Sequence, residues 1–218
     1  MASPAPVASS EYLEAIFEMA EEGIPTVQAR VADWMGVSAP SVSEAVKRLT
    51  RDGLVHLEGR ELRFTPEGEA VAISLVRRHR LAEHFLIRII GLPWHKAHEE
   101  AGRWERAISD DVELRMVEIL DDPGACPHGN PIPGSAHRID LTNTFPLNRA
   151  TTGDTVVLRR LTEDLELELD VMRFFEDAGL MPGATITVGQ LGPDGSMMLS
   201  VRGHAGPTAL GPALCDNL

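Results

Sequence analysis

Residues 26–66, TVQARVADWMGVSAPSVSEAVKRLTRDGLVHLEGRELRFTP, decide the fold of the first third of the chain. Thr26 is expected to cap one helix and Ser38 the next, whose first turn contains Pro40. Residues 54–64 hold two short apolar-containing runs separated by a glycine turn, which predicts a β-hairpin. The order helix, short turn, helix, hairpin is typical of a winged helix-turn-helix.

The flanking sequence predicts more helices first and strands later. Apolar residues at helical spacing, with proline or acidic residues at the starts, predict helices over residues 11–22, 65–90, 93–108 and 110–120. Clusters of proline, glycine and aspartate in residues 121–150 indicate a segment between domains. Glycine turns then separate predicted strands at residues 155–158, 185–188 and 197–201, with a short helix at 170–178.

These patterns predict a mainly α chain with a small β portion. We expect a winged helix-turn-helix domain at residues 1–66, a helical domain at 67–140, a linker at 141–152 and a small SH3-like β-barrel at 153–218.

Composition favours a globular protein outside the membrane. Hydrophobic residues make up 43% of the 218 residues, and the apolar runs are too short and too charged to span a bilayer. The first ten residues, rich in alanine, proline and serine, resemble no secretory signal and are expected to be a disordered lead-in to a cytoplasmic protein. The two cysteines, Cys126 and Cys215, form no Cys-x-x-Cys pair and are expected to be free thiols.

The second helix of the helix-turn-helix begins with small polar side chains, which allow close approach to base edges in a major groove. Basic residues further along suit phosphate contacts. The predicted DNA-binding residues are Ser38, Ala39, Pro40, Ser41 and Ser43 at the helix start, Lys47 and Arg51 for phosphates, and Arg60 at the wing tip. The formal net charge of −13 opposes DNA binding, but the acid excess lies outside residues 26–66. A protein-binding winged helix, or a plain helical packing unit, is the alternative.

A candidate metal site follows the winged helix. His79 and Glu83 are four residues apart on one predicted helix, so their side chains face the same way. A helical hairpin would bring His98 alongside them. Two imidazoles and a carboxylate suit Mn²⁺, Fe²⁺, Co²⁺, Ni²⁺ or Zn²⁺, and because no thiolate is expected nearby, we expect Mn²⁺ or Fe²⁺. Structural histidines, or a catalytic metal, would explain the same residues. However, no general base or substrate pocket signature is apparent, and we expect no enzyme.

The motifs in this region carry a family resemblance. The segments are His79-Arg-Leu-Ala-Glu83, Ile89-Ile-Gly-Leu92, His98-Glu-Glu-Ala-Gly-Arg-Trp-Glu105 and Gly129-Asn-Pro-Ile-Pro-Gly134. In combination they closely resemble the diphtheria toxin repressor family of iron- and manganese-dependent repressors. The resemblance covers nearly the whole chain. It implies that the helical domain holds metal and dimerises, and that a homodimer binds palindromic operator DNA and represses metal-uptake genes. Mn²⁺ is the first choice of cofactor and Fe²⁺ the second; Zn²⁺, Co²⁺, Ni²⁺ or Cd²⁺ can substitute in vitro.

The resemblance assigns one metal site fully. His79, Glu83 and His98 match the family's ancillary site, which a carboxylate from the third domain joins. Glu168, in a strand-like acidic run, falls at that carboxylate's position. A glutamine usual in the family is replaced by Val171, so Asp170 is expected to take its role.

The family's other site is altered here. Gly102 and Arg106 stand where relatives carry ligands, and neither can bind a cation. A set of carboxylates, Glu11, Glu14 and Glu105, is the predicted replacement, weak and suited to Mn²⁺. The alternatives are that this site is absent, that Arg106 pairs with one of these acids as a fixed internal cation, or that these acids and Arg106 are ordinary surface residues.

The remaining histidines have no matching role in the resemblance. His84, His95, His128 and His137 are expected at the surface, with His95 as the first choice for an extra ligand. The rival function is a winged-helix regulator that responds to a small molecule or protein partner and needs no metal.

Overall fold

The computed structural model describes residues 9–218, so the first eight residues of the predicted disordered lead-in lie outside the described part. The chain divides into two compact units between Arg78 and His79. Among the described residues, no helix has both the length and the apolar character needed to cross a membrane.

The first unit is the predicted winged helix-turn-helix. Its elements are α1 (Ser9–Glu21), α2 (Gln28–Trp34), α3 (Ala39–Arg51), β1 (Val55–Glu58), β2 (Glu61–Phe64) and the start of α4 (Pro66–Phe85). Val42, Val46 and Leu49 of α3 are buried in a core shared with α1 and α2. Because these residues recur at helical spacing, one side of α3 packs inward and the opposite side stays exposed.

The two helix starts in this unit differ from each other. Ser38 caps α3 as predicted, with its Oγ accepting from the Ser41 backbone N–H at 3.3 Å. Thr26 does not cap α2, which has Val27 as its N-cap residue and no side-chain cap. The Thr26 hydroxyl instead donates to the Leu62 carbonyl oxygen of β2 at 2.7 Å, so it binds the wing strand and not the start of α2.

The wing is an antiparallel hairpin of β1 and β2, with Glu58 opposite Glu61. Gly59 turns the chain with a φ of 62°, a conformation that favours glycine, and Arg60 is exposed beside it. Thr65 then fastens the start of α4 to the preceding turn. Its hydroxyl donates to the Gly53 carbonyl oxygen at 2.6 Å and accepts from the Gly68 N–H at 3.0 Å.

The second unit begins within α4 and continues with helices. A π-helical turn (Leu86–Ile90) and Gly91 end α4, and the predicted helix over 93–108 is divided into a 3₁₀ turn (Trp94–Lys96), α5 (Ala97–Trp104) and another 3₁₀ turn (Glu105–Ala107). α6 (Asp110–Leu120) follows. The first interruption comes from Pro93, which is extended (ψ 140°) and starts no α-helix. The tighter final turn accompanies complete burial of the Glu105 side chain.

The C-terminal part holds a four-stranded antiparallel sheet in the order β3-β4-β5-β6. The strands are β3 (Thr155–Val157), β4 (Thr185–Leu191), β5 (Met197–Val201) and β6 (Thr208–Leu210), the last of which the sequence did not predict. Met172 and Phe175 of α8 (Leu169–Ala178) share a core with this sheet. A short α9 (Pro212–Cys215) follows β6. The fold class, mainly α with a small β portion, is confirmed.

The acidic run 164–170 is helical, contrary to the strand-like prediction. α7 (Glu163–Glu166) precedes α8, and both Glu163 and Glu166 are buried. Alternation of leucine and acid fits a strand when the acids face water. Here two acids face inward because Arg80 donates to Glu163 at 2.6 Å and Asn130 to Glu166 at 2.7 Å.

Gly68 offers a test of the packing of α4. Although alanine usually stabilises a helix interior, a Cβ at Gly68 would lie 1.8 Å from the Leu54 carbonyl oxygen, a backbone atom. We expect Gly68→Ala to lower the free energy of unfolding by about 1–3 kcal/mol, measured by urea denaturation. Gly211→Ala is the control, because a Cβ there meets nothing within 4 Å. Equal stability of the two variants would contradict the packing described.

Candidate metal centre

Two histidines and a glutamate converge between α4 and α5. His79 Nε2 lies 3.1 Å from His98 Nδ1 and 3.4 Å from Glu83 Oε1. The distance from His98 Nδ1 to Glu83 Oε1 is also 3.4 Å. The helical spacing of four residues places His79 and Glu83 on one side of α4. The structure therefore brings together the three residues predicted for the first metal site, and their nitrogen and oxygen atoms could surround one cation.

Glu166 of α7 adds a second carboxylate to this group. Its Oε2 lies 3.1 Å from His98 Nδ1, while its Oε1 accepts from the Asn130 amide at 2.7 Å. The neighbouring Glu163 is close enough to His98 and Glu166 to form a possible ligand set with them. Arg80, which is 2% exposed, holds Glu163 in place.

Glu168 and Asp170, the residues predicted to supply this carboxylate, are not in the cluster. Both are exposed, Glu168 as the N-cap residue of α8 and Asp170 in its first turn. The reason is the helical turn of α7, which points residues 163 and 166 to one side, three positions apart. The extended run assumed from the sequence would have selected a different set.

His128 is fully buried beside the same carboxylates and is not the surface residue that the sequence predicted. Its Nδ1 lies 3.2 Å from Glu83 Oε1 and 2.6 Å from Glu166 Oε2. Cys126, two residues earlier, forms a second possible ligand set with His128 and Glu83. The expectation that no thiol lies near the metal site was therefore wrong. The Cys-x-His spacing of residues 126–128 is a signal in the sequence for such a site, but no local pattern connects this loop with His79.

Glu105 contacts the His79 ring nitrogen that faces away from His98 and Glu83. Glu105 is 0% exposed, and its Oε2 lies 2.9 Å from His79 Nδ1. A carboxylate at this position accepts the Nδ1 proton, so the Nε2 lone pair of His79 faces His98 and Glu83. Glu105 is thus not a surface residue, whereas Arg106 is exposed.

The other acids of the predicted second site lie in the first unit. Glu11 is half-buried and Glu14 is buried, both on α1, so Glu14 is not part of an ordinary solvated stripe. A site formed by Glu11, Glu14 and Glu105 stays a prediction.

The remaining histidines do not join the cluster. His84 Nε2 lies 2.6 Å from the Ala125 carbonyl oxygen, and His95 Nδ1 contacts Glu176 of α8. His137 is exposed near Asp122. The additional histidine at the centre is therefore His128, not His95.

The electrostatics of the cluster favour the ionised forms of Glu83 and Glu166 and the protonated forms of His98 and His128. Burial would raise the pKa of Glu83, but the charge of His128 and the contacts with His79 and His98 hold it well below its usual range. Burial likewise opposes the charged form of His98, but the Glu166 and Glu83 carboxylates raise its pKa to about 10. The pKa of His128 is raised for the same reason.

A bound cation would satisfy the donor atoms of the cluster better than their contacts with one another do. Both carboxylate oxygens of Glu83, Oε2 of Glu166 and both ring nitrogens of His128 are buried and make no hydrogen bond of acceptable geometry; Glu83 Oε1, Glu166 Oε2 and His128 Nδ1 meet only as close charged pairs. Leaving such atoms unpaired costs free energy, and a divalent ion would satisfy them together. Imidazole nitrogens with carboxylate oxygens are the donors that Mn²⁺ and Fe²⁺ accept.

The predicted DNA-binding residues lie on the exposed side of the first unit. Ser43 is half-buried, and the other seven are exposed: Ser38, Ala39, Pro40, Ser41, Lys47, Arg51 and Arg60. At the start of α3, the Ser38 and Ser41 hydroxyls are 2.8 Å apart.

A winged helix followed by a buried histidine–carboxylate cluster defines a DNA-binding protein of the metal-regulated class. Family comparisons agree over nearly the whole chain. Residues 8–61 match "Iron dependent repressor, N-terminal DNA binding domain", residues 65–134 match "Iron dependent repressor, metal binding and dimerisation domain" and residues 145–216 match "FeoA domain".

Curated relatives carry the same description. The iron-dependent repressor IdeR of Mycobacterium tuberculosis is 40% identical over 207 residues, covering 90% of each chain. The diphtheria toxin repressor of Corynebacterium efficiens is 55% identical over 192 residues, covering 81% of this chain and 80% of that protein. The chain belongs to the iron-dependent repressor family, a family of transcriptional repressors and not of enzymes.

Solved structures show the same architecture. A manganese-dependent transcriptional repressor in complex with manganese has a TM-score of 0.80 and 28% identity, covering 96% of this chain and 97% of that one. ScaR with bound Zn²⁺ has a TM-score of 0.75 and 28% identity, covering 97% of both chains.

Proton release should accompany metal binding. Because the metal-free centre holds protons on His98 and His128 at neutral pH, a cation must displace them. We expect the affinity for Mn²⁺ to rise between about pH 6 and about pH 9, by up to about tenfold per pH unit for each proton released. The sign follows from the raised histidine pKa: protonation stabilises the metal-free fold below that pKa and is lost as the pH rises through it.

Calorimetry in two buffers of different ionisation enthalpy counts the released protons. His137→Ala is the control, because this exposed histidine lies outside the cluster and the variant should release the same number. A binding enthalpy independent of the buffer, with an affinity flat in pH, would show that the imidazoles carry no protons to lose.

Proposed function

We propose that this chain is a metal-activated repressor whose homodimer binds a palindromic operator when Mn²⁺ or Fe²⁺ is bound. The regulated genes in this proposal serve metal uptake and homeostasis, and the protein acts in the cytoplasm. The observation that carries the proposal is the convergence of His79, Glu83 and His98 around buried oxygen atoms that lack hydrogen bonds. Membership of the family supports the repressor function, and the set of nitrogen and oxygen donors supports its dependence on a cation.

The ligands we propose for the cation are His79, Glu83 and His98, with Glu166 in place of the predicted Glu168 and Asp170. Nitrogen and oxygen donors support Mn²⁺ as first choice and Fe²⁺ as second. Related solved structures are described with manganese, Zn²⁺ or Cd²⁺ bound. We propose that Zn²⁺, Co²⁺, Ni²⁺ and Cd²⁺ also substitute in this chain.

The chain's own residues prepare the centre. Glu105 fixes the His79 ring, Asn130 fixes Glu166, and α4 carries both His79 and Glu83 in its last turns. A bound cation supplies positive charge that compensates the buried carboxylates. α4 begins at Pro66, two residues after the wing strand β2 ends, and continues without a break to Phe85. A cation that orders its C-terminal turns would therefore rigidify the same helix that starts next to the wing. We propose that this ordering favours the state that binds DNA.

An exposed apolar surface supports the homodimer. Between residues 86 and 120 of the second unit, the large hydrophobic residues that remain 48–63% exposed are Ile89, Ile90, Val112, Leu114 and Ile119. Exposed apolar side chains grouped on neighbouring elements mark an interface with another protein. A match to a metal-binding and dimerisation domain covers the same residues. We also propose the domain division at residues 1–66, 67–140, 141–152 and 153–218.

The dependence on metal can be tested together with DNA binding. A duplex selected from a random-sequence pool by the Mn²⁺-loaded protein serves as operator in a gel shift. In this proposal metal and DNA bind the same state of the protein, so each raises the affinity for the other by about 5- to 150-fold. We therefore expect a chelator, which removes the metal, to abolish the shift. His79→Ala should lose the shift together with metal affinity, whereas Ser41→Ala should lose the shift and keep metal affinity.

Undiminished operator binding in the presence of chelator would overturn the proposal. It would favour instead a winged-helix regulator that responds to a small molecule or a protein partner without a metal.

Dimerisation has a separate test. Leu114, 63% exposed on α6, is proposed to be covered by the partner protomer. We expect Leu114→Arg to shift the dissociation of the dimer to higher concentration by about tenfold or more, since burying an unpaired charge costs several kcal/mol. Analytical ultracentrifugation measures this shift. Glu118→Arg on the same helix is the control, because an exposed charge is exchanged for another. A dimer of unchanged strength in Leu114→Arg would place the interface elsewhere.

A further inference from the structure

We propose that Cys126 and His128 bind a second divalent cation, adjacent to the first and sharing the Glu83 carboxylate with it. The thiolate would select a softer ion, of the Zn²⁺, Co²⁺ or Fe²⁺ type, where the first site accepts Mn²⁺. This inference rests on the proposed metal function only through Glu83, the residue common to both ligand sets.

Geometry gives the first argument. Ligand atoms of Cys126, His128 and Glu83 all lie within 4.8 Å of one another, as do those of His79, His98 and Glu83. The two sets have a single residue in common. A carboxylate has two oxygens, so Glu83 can offer one to each of two ions.

Burial gives the second argument. His128 is 0% exposed. Its Nδ1 lies against the Glu83 and Glu166 carboxylates, whereas its Nε2 has no hydrogen-bond partner. Buried polar atoms normally have a partner. Contact of the ring with Trp94, at 4.7 Å between centroids, positions the imidazole without satisfying Nε2. A buried, unsatisfied imidazole nitrogen beside a thiol and two carboxylates is suited to binding a cation.

The loop that carries the donors is held rigidly by its backbone. The Cys126 N–H donates to the Asn130 carbonyl oxygen at 2.7 Å, and the Gly129 N–H donates to the Cys126 carbonyl oxygen at 2.9 Å. The Leu161 N–H donates to the His128 carbonyl oxygen at 2.9 Å. Such a preformed turn orients both side chains before any ion arrives, which lowers the entropy cost of binding.

Two carboxylates bridge the two histidine positions. Glu83 Oε1 lies 3.4 Å from His98 Nδ1 and 3.2 Å from His128 Nδ1, and Glu166 Oε2 lies 3.1 Å and 2.6 Å from the same two atoms. Acids placed between two imidazoles suit a pair of cations, because two adjacent positive ions need shared negative charge between them.

The chemistry of binding follows from the thiol. A cation bound here would take Cys126 as its thiolate: the Sγ–H bond would break, the proton would pass to solvent, and the sulfur lone pair would form the bond to the cation. The His128 backbone N–H, 3.4 Å from Sγ, donates to the sulfur and would stabilise its negative charge.

Cobalt titration tests the proposal on the full-length protein. We expect metal-free protein under anaerobic, reducing conditions to bind two equivalents of Co²⁺ per protomer and to develop thiolate-to-cobalt charge-transfer absorption in the near ultraviolet. Cys126→Ser should lose that absorption and one equivalent. Cys215→Ser, which removes the other buried thiol, should behave as the wild type. His98→Ala should lose one equivalent and keep the absorption.

Zinc X-ray absorption on the wild type provides evidence independent of any variant's folding. We expect a sulfur ligand at about 2.3 Å from zinc when two equivalents are bound. Absence of sulfur, binding of a single equivalent, or charge-transfer absorption that survives Cys126→Ser would each overturn the second site.

The outcomes separate this proposal from the proposed function. Operator binding by Cys126→Ser with Mn²⁺ as the only metal leaves the repressor function standing, whatever the cobalt spectrum shows. Conversely, operator binding that ignores a chelator defeats the repressor proposal without removing the cobalt–thiolate absorption.

Discussion

The Glu83 carboxylate, buried with neither oxygen in a hydrogen bond, is the constraint on which the second unit depends. Isolating such a charge from water costs several kcal/mol unless opposite charge surrounds it. His98 and His128 supply that charge as protonated imidazoles, and a cation would supply it when they release their protons.

Polar residues one layer further out fix these donors. Glu105 orients His79, Asn130 holds Glu166, and Arg80 holds Glu163. The supporting groups come from helices and from the 126–130 loop, so the centre is organised by parts of the chain far apart in sequence. Because the donors are preoriented, we expect a bound cation to change the charge of the centre more than its shape.

Charge links the centre to the DNA-binding role. The chain carries a formal charge of −13, and a polyanion disfavours an acidic partner. The exposed start of α3 avoids this difficulty by presenting small neutral side chains, with Lys47 and Arg51 further along. Bound cations would lower the negative charge of the second unit. In the proposed function, this loss of negative charge would favour binding to the DNA polyanion.

The sequence by itself determined the winged helix, α4, and the meeting of His79, Glu83 and His98, because helical periodicity and capping are local and spacing of four residues fixes a shared side. Only the tertiary structure decided the rest. Because residues 163–166 form a helical turn, Glu166 and not Glu168 lies beside the histidines. The Thr26 hydroxyl likewise binds the wing strand and does not cap α2. The tertiary structure also placed Cys126 and His128 beside Glu83, some forty residues away along the chain. Contacts across such separations depend on how loops pack, and no local pattern records that.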